Sequence, residues 1–172
     1  MKGRLNNYKK FITMNLKKNR AGFTMVELII VIAIIAILAG IVFVAINPAK
    51  RFAEARNTKR WTDTSNLLDA ILKYQVDNTG THAVGVPAGD GNNYLIGTDA
   101  GDCSTATCGV TLQAACKNLT TGIAPDYIGE IPKDLKNGTD AKTLYYISQN
   151  TAGRITIGAC VPELGATIKI TR

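Results

Sequence analysis

The chain holds a single histidine, His82. One imidazole excludes a histidine-based metal centre and a paired-histidine mechanism. The chain also lacks a G-x-S-x-G elbow, a phosphate-cradling glycine loop, an H-E-x-x-H helix and any cysteine–histidine pair close in sequence. No catalytic residue and no cofactor is therefore assigned, and the reading is non-enzymatic. Cysteine is absent from the first 102 residues, and Cys103, Cys108, Cys116 and Cys160 include no C-x-x-C pair. Four cysteines fit two disulfides in an oxidising compartment or one tetrahedral zinc site, and the unpaired spacing favours disulfides. No metal site is assigned.

Acid is missing from the first 22 residues, which carry Lys2, Arg4, Lys9, Lys10, Lys17, Lys18 and Arg20. The formal charge of +7 belongs to this segment alone, because 13 cations face 13 acids from Phe23 onward. Net charge thus gives the rest of the chain no case for nucleic-acid binding, and residues 1–22 read as a leader. Charge is then missing altogether from residues 28–46, LIIVIAIIAILAGIVFVAI. As a helix this run spans about 28 Å, close to the ~30 Å hydrocarbon core of a bilayer. It exceeds the ~7–15 apolar residues usual in a secretory signal. The basic leader places the N-terminus in the cytoplasm. Lys50, Arg51, Arg56, Lys59 and Arg60 beyond the run weaken that bias without reversing it. Glu27 stands at the lip of the run, where an unpaired carboxylate is costly: about 2.5–3.5 kcal/mol at mid-depth and less at the edge. Something must neutralise it.

The stretch GFTMVELIIVIAIIAILAGI, residues 22–41, resembles the type IV prepilin signature: a basic leader ending in glycine, then F-T-x-x-E-L, then an unbroken apolar helix. The wider resemblance is to the type IV pilin and type II secretion pseudopilin superfamily. It is strongest over residues 17–47 and continues through RFAEARNTKRWTDTSNLLDAILKYQVDN. The segment YIGEIPKDL, residues 127–135, is similar to a loop of pseudopilin-like members. The resemblance implies that a prepilin peptidase cuts after Gly22, and that Phe23 becomes the N-terminus and is N-methylated. Glu27 is then an assembly residue, pairing in the filament core with the Phe23 amino group of a neighbouring subunit and setting the axial register. The implied partners are copies of the chain, other pilins, the peptidase, inner-membrane assembly machinery and, before assembly, membrane lipid. The implied location is the inner membrane for a single-pass precursor, then an extracellular filament. A pilus subunit is the first reading. A type II secretion pseudopilin, and a minor pilin that captures DNA or acts as an adhesin, are the alternatives.

The expected fold class is α+β and pilin-like: a long N-terminal helix, half transmembrane and half amphipathic, packed on a small C-terminal antiparallel sheet. The expected organisation is a leader over 1–22, an apolar helix over 23–47 and a globular domain over 48–172. Within that domain the sequence predicts a helix over 48–78, a loop over 79–126 and a strand-rich region over 127–172. Trp61, Thr64, Leu68, Ile71 and Leu72 fall at helical spacing as a core stripe, with Leu67 and Tyr74 beside it. Asp69 and Lys73 are placed as an i,i+4 pair. The five cations between Lys50 and Arg60 read as a solvated face, with lipid headgroups or neighbouring subunits as alternatives. In the loop a short strand is expected over 94–96 and a short helix over 111–119. Asp90, Asp99 and Asp102 offer oxygens but match no EF-hand spacing, so they read as solvated. Strands are predicted over 144–149, 154–161 and 166–171, with Asn150-Thr151-Ala152-Gly153 as a hairpin turn and Ile155, Ile157, Ala159 and Val161 on one apolar face. Asn118 and Asn137 each begin a glycosylation tripeptide, a weak signal. The small residues between Cys103 and Cys108 suggest that these two pair, leaving Cys116 with Cys160.

Overall fold

A computed structural model of the chain describes residues 22–99, 101, 103 and 105–172. The leader cations and Asp102 lie outside the described residues. The chain divides into two compact units, one ending at Ile46 and one running from Asn47 to Arg172.

The first unit contributes helix α1, Met25–Ile46, 22 residues with no buried side chain. Its length, about 33 Å at ~1.5 Å per residue, covers the hydrocarbon thickness of a bilayer. Apolar residues occupy every face of it, as expected of a helix whose surroundings are apolar on all sides.

The second unit is a helix on a sheet. Helix α2, Pro48–Asp77, starts with proline in its first turn, where the missing N–H costs nothing. Asn47 caps it through its side chain, which accepts from Lys50 N at 3.3 Å. Asn47 sits in the left-handed region at φ 47°, a conformation asparagine tolerates better than most residues. The far end closes on Asn78, whose N–H donates to Tyr74 O at 3.0 Å, and on Gly80, whose N–H reaches back to Gln75 O at 2.7 Å.

Four antiparallel strands follow in the order β1 (Tyr94–Leu95), β2 (Tyr145–Gln149), β3 (Ile155–Ala159) and β4 (Lys169–Thr171). The fold is α+β and pilin-like, with a long apolar N-terminal helix, a second helix and a small antiparallel sheet. The β2–β3 turn falls at residues 150–153. Asn150 Oδ1 accepts from Ala152 N and Arg154 N at 3.1 and 2.9 Å, and Gly153 takes φ 81°.

The sheet has a core on each face. Helix α2 lies against β3 and β4. Its Leu67, Leu68 and Ile71 pack with Tyr145, Ile147, Ile155, Ile157 and Ala159, the alternate residues of β2 and β3. Each such aliphatic side chain contributes about 1.5–3 kcal/mol when fully buried. The second core joins Leu95, Cys103, Leu144, Tyr146 and Cys160. The alternation of β3 suggests only one apolar face, yet Gly158 and Cys160 are buried too. Gly158 is opposite Tyr146, and a Cβ there would stand 2.5 Å from the Tyr146 ring, so the glycine makes room for the aromatic cover.

Two expectations about the elements of this unit fail. Residues 111–119 form no helix. They run beside β1 through parallel bridges Asn93 to Leu112 and Ile96 to Lys117, with Lys117 N donating to Leu95 O at 2.8 Å. A helix this short has little stability of its own, and pairing with the sheet edge outweighs it. Trp61 is 43% exposed and lies outside the core stripe. The buried face of α2 instead carries Ala53, Arg60, Asp63, Thr64, Leu67, Leu68 and Ile71.

Candidate functional site

The N-terminal site is small. Thr24 precedes the first turn of α1, and its Oγ1 accepts from Glu27 N at 3.1 Å. Glu27 Oε2 accepts in return from Thr24 N and Thr24 Oγ1, both at 2.9 Å. This is a reciprocal capping box, T-x-x-E, which satisfies free donors at the helix start. Glu27 therefore has a local use that the sequence reading missed, although the T-x-x-E spacing is itself the signal for it. Both acceptor bonds fall on Oε2.

Gly22 and Phe23 are exposed, Phe23 to 92%. A Cβ built on Gly22 would meet nothing within 4 Å, so the folded chain does not itself require glycine there.

The second cluster lies on α2, among the cations expected to be solvated. Arg60 is 1% exposed. Its Nε and Nη2 donate to the two oxygens of buried Asp134, at 2.5 and 3.2 Å. Its Nη1 donates to Glu163 Oε2 at 3.1 Å and to Asn57 Oδ1 at 2.9 Å. Arg56 grips Glu163 with two bonds of 2.6 and 2.8 Å. Asn57 fastens the Glu163 backbone in both directions, at 2.7 and 3.0 Å. Burial works against the charge on Arg60, but its hydrogen bonds to Asp134 and Glu163 outweigh that and hold it above the ordinary guanidinium value. The hydrogen bonds from Arg56, assisted by Arg60, pull the Glu163 carboxyl down to about 2. This network ties the first half of α2 to loop residues 134 and 163. Lys50, Arg51 and Lys59 are the cations of the group left at the surface, and the first two share Glu54 at 3.9 and 3.0 Å.

Beside the network an open groove of about 640 Å³ separates α2 from residues 128–140. Lys59 pairs there with Asp63, and Lys133 bridges Glu130 and Asp140 at 2.7 and 2.9 Å. Asp63 also accepts from Tyr145 Oη at 3.0 Å, and burial, with Asp63 beside it, pushes the Tyr145 phenol up. Asp69 is paired with Arg172, 103 residues away, rather than with the expected Lys73. Asp90 holds its own loop, accepting from Asn92 N at 2.9 Å and from Tyr94 Oη, while Asp99 accepts from Gly101 N at 2.8 Å. Among the described residues no group of three or more His, Cys, Asp or Glu stands ready to hold a metal.

All four cysteines are bridged, but not as the spacing suggests: the pairs are Cys103–Cys116 and Cys108–Cys160. The bridge of residues 112–117 to β1 brings Cys116 towards Cys103, and Gly97 N donates to Lys117 O at 3.2 Å in the same contact. Gly109 N donates to Cys160 O at 3.0 Å, which sets Cys108 beside the end of β3. Long-range backbone pairing decides the connectivity, and the four-residue spacing of Cys103 and Cys108 does not.

A family model described as the prokaryotic N-terminal methylation motif matches residues 17–43, spanning the Gly22-Phe23 junction, Glu27 and most of α1. The chain carries the type IV pilin and pseudopilin prepilin signature. No curated protein and no solved structure matches the chain. The signature supports a type IV pilin-like or pseudopilin protein, structural rather than enzymatic, made as a membrane-anchored precursor. It implies processing by a prepilin peptidase and assembly with other pilins.

Proposed function

We propose that this protein is a structural subunit of a type IV pilus-like filament, polymerised through α1. The observation that carries the reading is that α1 buries none of its 22 residues, while the other unit closes its own core. A helix apolar beyond its first turn, with none of its side chains buried among the described residues, needs lipid or other such helices around it. In this reading residues 1–22 are the leader, residues 23–47 the filament-core helix and residues 48–172 the displayed domain. Cleavage follows Gly22, an exposed position where the fold has no need of glycine. Phe23 is then the methylated N-terminus. Glu27 uses Oε2 for its own helix and meets the Phe23 amine of a neighbour in the filament core, a pairing strengthened by low dielectric. The subunit enters the inner membrane with its N-terminus in the cytoplasm and ends outside the cell.

The test is co-expression with a pilus assembly system, electron microscopy of sheared material and mass spectrometry of the subunit. Filaments whose subunit begins at methylated Phe23 are expected. Gly22→Val should abolish processing, and Glu27→Gln should insert normally yet give few filaments. Subunits retaining the leader within filaments, or normal filament yield from Glu27→Gln, would refute the corresponding role.

A further inference from the structure

We infer that Lys50, Arg51 and Phe52 form an interfacial anchor that holds the phosphate layer of the leaflet at the C-terminal end of α1. This rests on α1 lying in a bilayer before assembly. The span Met25–Ile46 is long enough to use up the whole hydrocarbon thickness, so the chain leaves the acyl region at about Asn47. Lys50 follows Ile46 by four residues and Phe52 by six. At most ~3.3–3.6 Å of chain per residue keeps all three within about 22 Å of the span's end, and helical geometry brings them closer. Covalent tethering alone therefore puts them next to headgroups, whatever the orientation of the second unit.

Their side chains suit that place. Phe52 is 65% exposed, a large apolar ring that the folded domain leaves uncovered. Lys50 and Arg51 are exposed at 59% and 67% of their side chains. Glu54 is the acid shared between them, so the patch keeps a net positive charge. The next cations along the helix are paired within the domain, Arg56 to Glu163, Lys59 to Asp63 and Arg60 to Asp134. Between Phe23 and Asn47 there is no cation at all. Once the leader is gone, Lys50 and Arg51 are the first basic side chains of the chain. Long basic side chains reach phosphates while their stems lie along apolar surface, and an aromatic ring beside them enters the acyl boundary. The partner is thus an anionic lipid surface, and attraction grows with its negative charge. The anchor would fix the depth of α1 and oppose its withdrawal, so that assembly must overcome it.

The experiment uses the full chain in vesicles of phosphatidylcholine, with and without phosphatidylglycerol. Trp61→Phe with Phe52→Trp leaves one tryptophan as the reporter. Lipids brominated near the headgroup end of the acyl chain should quench it, and more strongly when phosphatidylglycerol is present. Adding Lys50→Gln and Arg51→Gln should remove about half or more of that quenching. Quenching by an aqueous agent alone, unaffected by lipid charge or by the glutamine variants, would overturn the anchor. Protection that depends on the protein-to-lipid ratio would overturn it in favour of a second copy on the patch. Loss of lipid contact on adding inorganic phosphate at constant ionic strength would overturn it in favour of a free-anion site. Alkaline carbonate extraction separates the underlying premise: chain washed off the vesicles defeats the membrane reading itself, whereas chain retained with a water-exposed reporter defeats only the anchor.

Discussion

Helices α1 and α2 invert the usual distribution of side chains. The first exposes isoleucine, leucine, valine and phenylalanine along its whole length, with none of its 22 residues buried. The second buries Arg60 and Asp63 as completely as many of its aliphatic residues. The difference lies in where each helix finds its partners. The partners of α2 are within the chain, 74 and 103 residues away at Asp134 and Glu163. Among the described residues α1 has no buried side chain, and its side-chain hydrogen bonds are those of the capping box at its start. A membrane or filament helix can be recognised by what it leaves unsatisfied, and a domain helix by what it satisfies at long range.

The sharpest way to break this comparison is to remove the partner of Asp134. Because residues 47–172 are a compact unit with cores of their own, they should fold without α1 and serve for urea unfolding. Arg60→Ala leaves Asp134 buried without its counter-charge and should cost about 3–5 kcal/mol. Replacing both, Arg60→Met with Asp134→Leu, should recover most of that loss, since a buried pair and an apolar pair of similar volume often differ little. Equal losses from the single and double variants would show that the pair contributes net stability rather than mutual tolerance.

The limits of the sequence reading follow from the same contrast. The α1 pattern was legible because it is local: an uninterrupted apolar run, a glycine–phenylalanine junction and one acid. The strands were legible too, since Ile155, Ile157 and Ala159 alternate along β3. Arg60 was not, because its neutralisation depends on two loops far along the chain, and so Trp61 was drawn into the core in its place. Asp134 stood in view within YIGEIPKDL, yet nothing local marks it as buried. The second core stayed hidden because Gly158 and Cys160 break the apolar alternation while being covered by Tyr146 and the bridged loop.

The cysteines give the next test. Non-reducing peptide mapping should yield Cys103–Cys116 and Cys108–Cys160 peptides, and a Cys103–Cys108 peptide would contradict the backbone pairing argued above. The Cys108–Cys160 bridge closes the larger loop, with a sequence separation of 52 against 13. The chain-entropy model gives such a loop up to about 4 kcal/mol and the smaller one about 3 kcal/mol. Cys108→Ser with Cys160→Ser should therefore destabilise the domain by up to that amount, with the second core loosening first. Insertion of α1 into membranes should not change, because no bridge reaches it.

The smallest effect concerns Glu163 and acid. Its carboxyl is drawn from an ordinary 4.5 to about 2 by Arg56 and Arg60. A carboxyl lowered on folding lends stability that is fully present above its unfolded value and is lost as pH falls through the folded one. The relevant window thus runs from about pH 4.5 down to about 2. Below it Arg56 and Arg60 lose their shared counter-charge. The wild-type domain should lose stability across this window, measured by urea titration at a series of pH values. Glu163→Gln keeps the shape but has nothing to titrate, so its profile should start lower at neutral pH and fall less steeply between the same limits. Asp69→Asn supplies the control: its partner Arg172 is half exposed, so the profile should stay close to wild type. If Glu163→Gln and wild type fall in parallel, the acid sensitivity belongs to another carboxylate, and Glu163 holds the first half of α2 by hydrogen-bond geometry more than by charge.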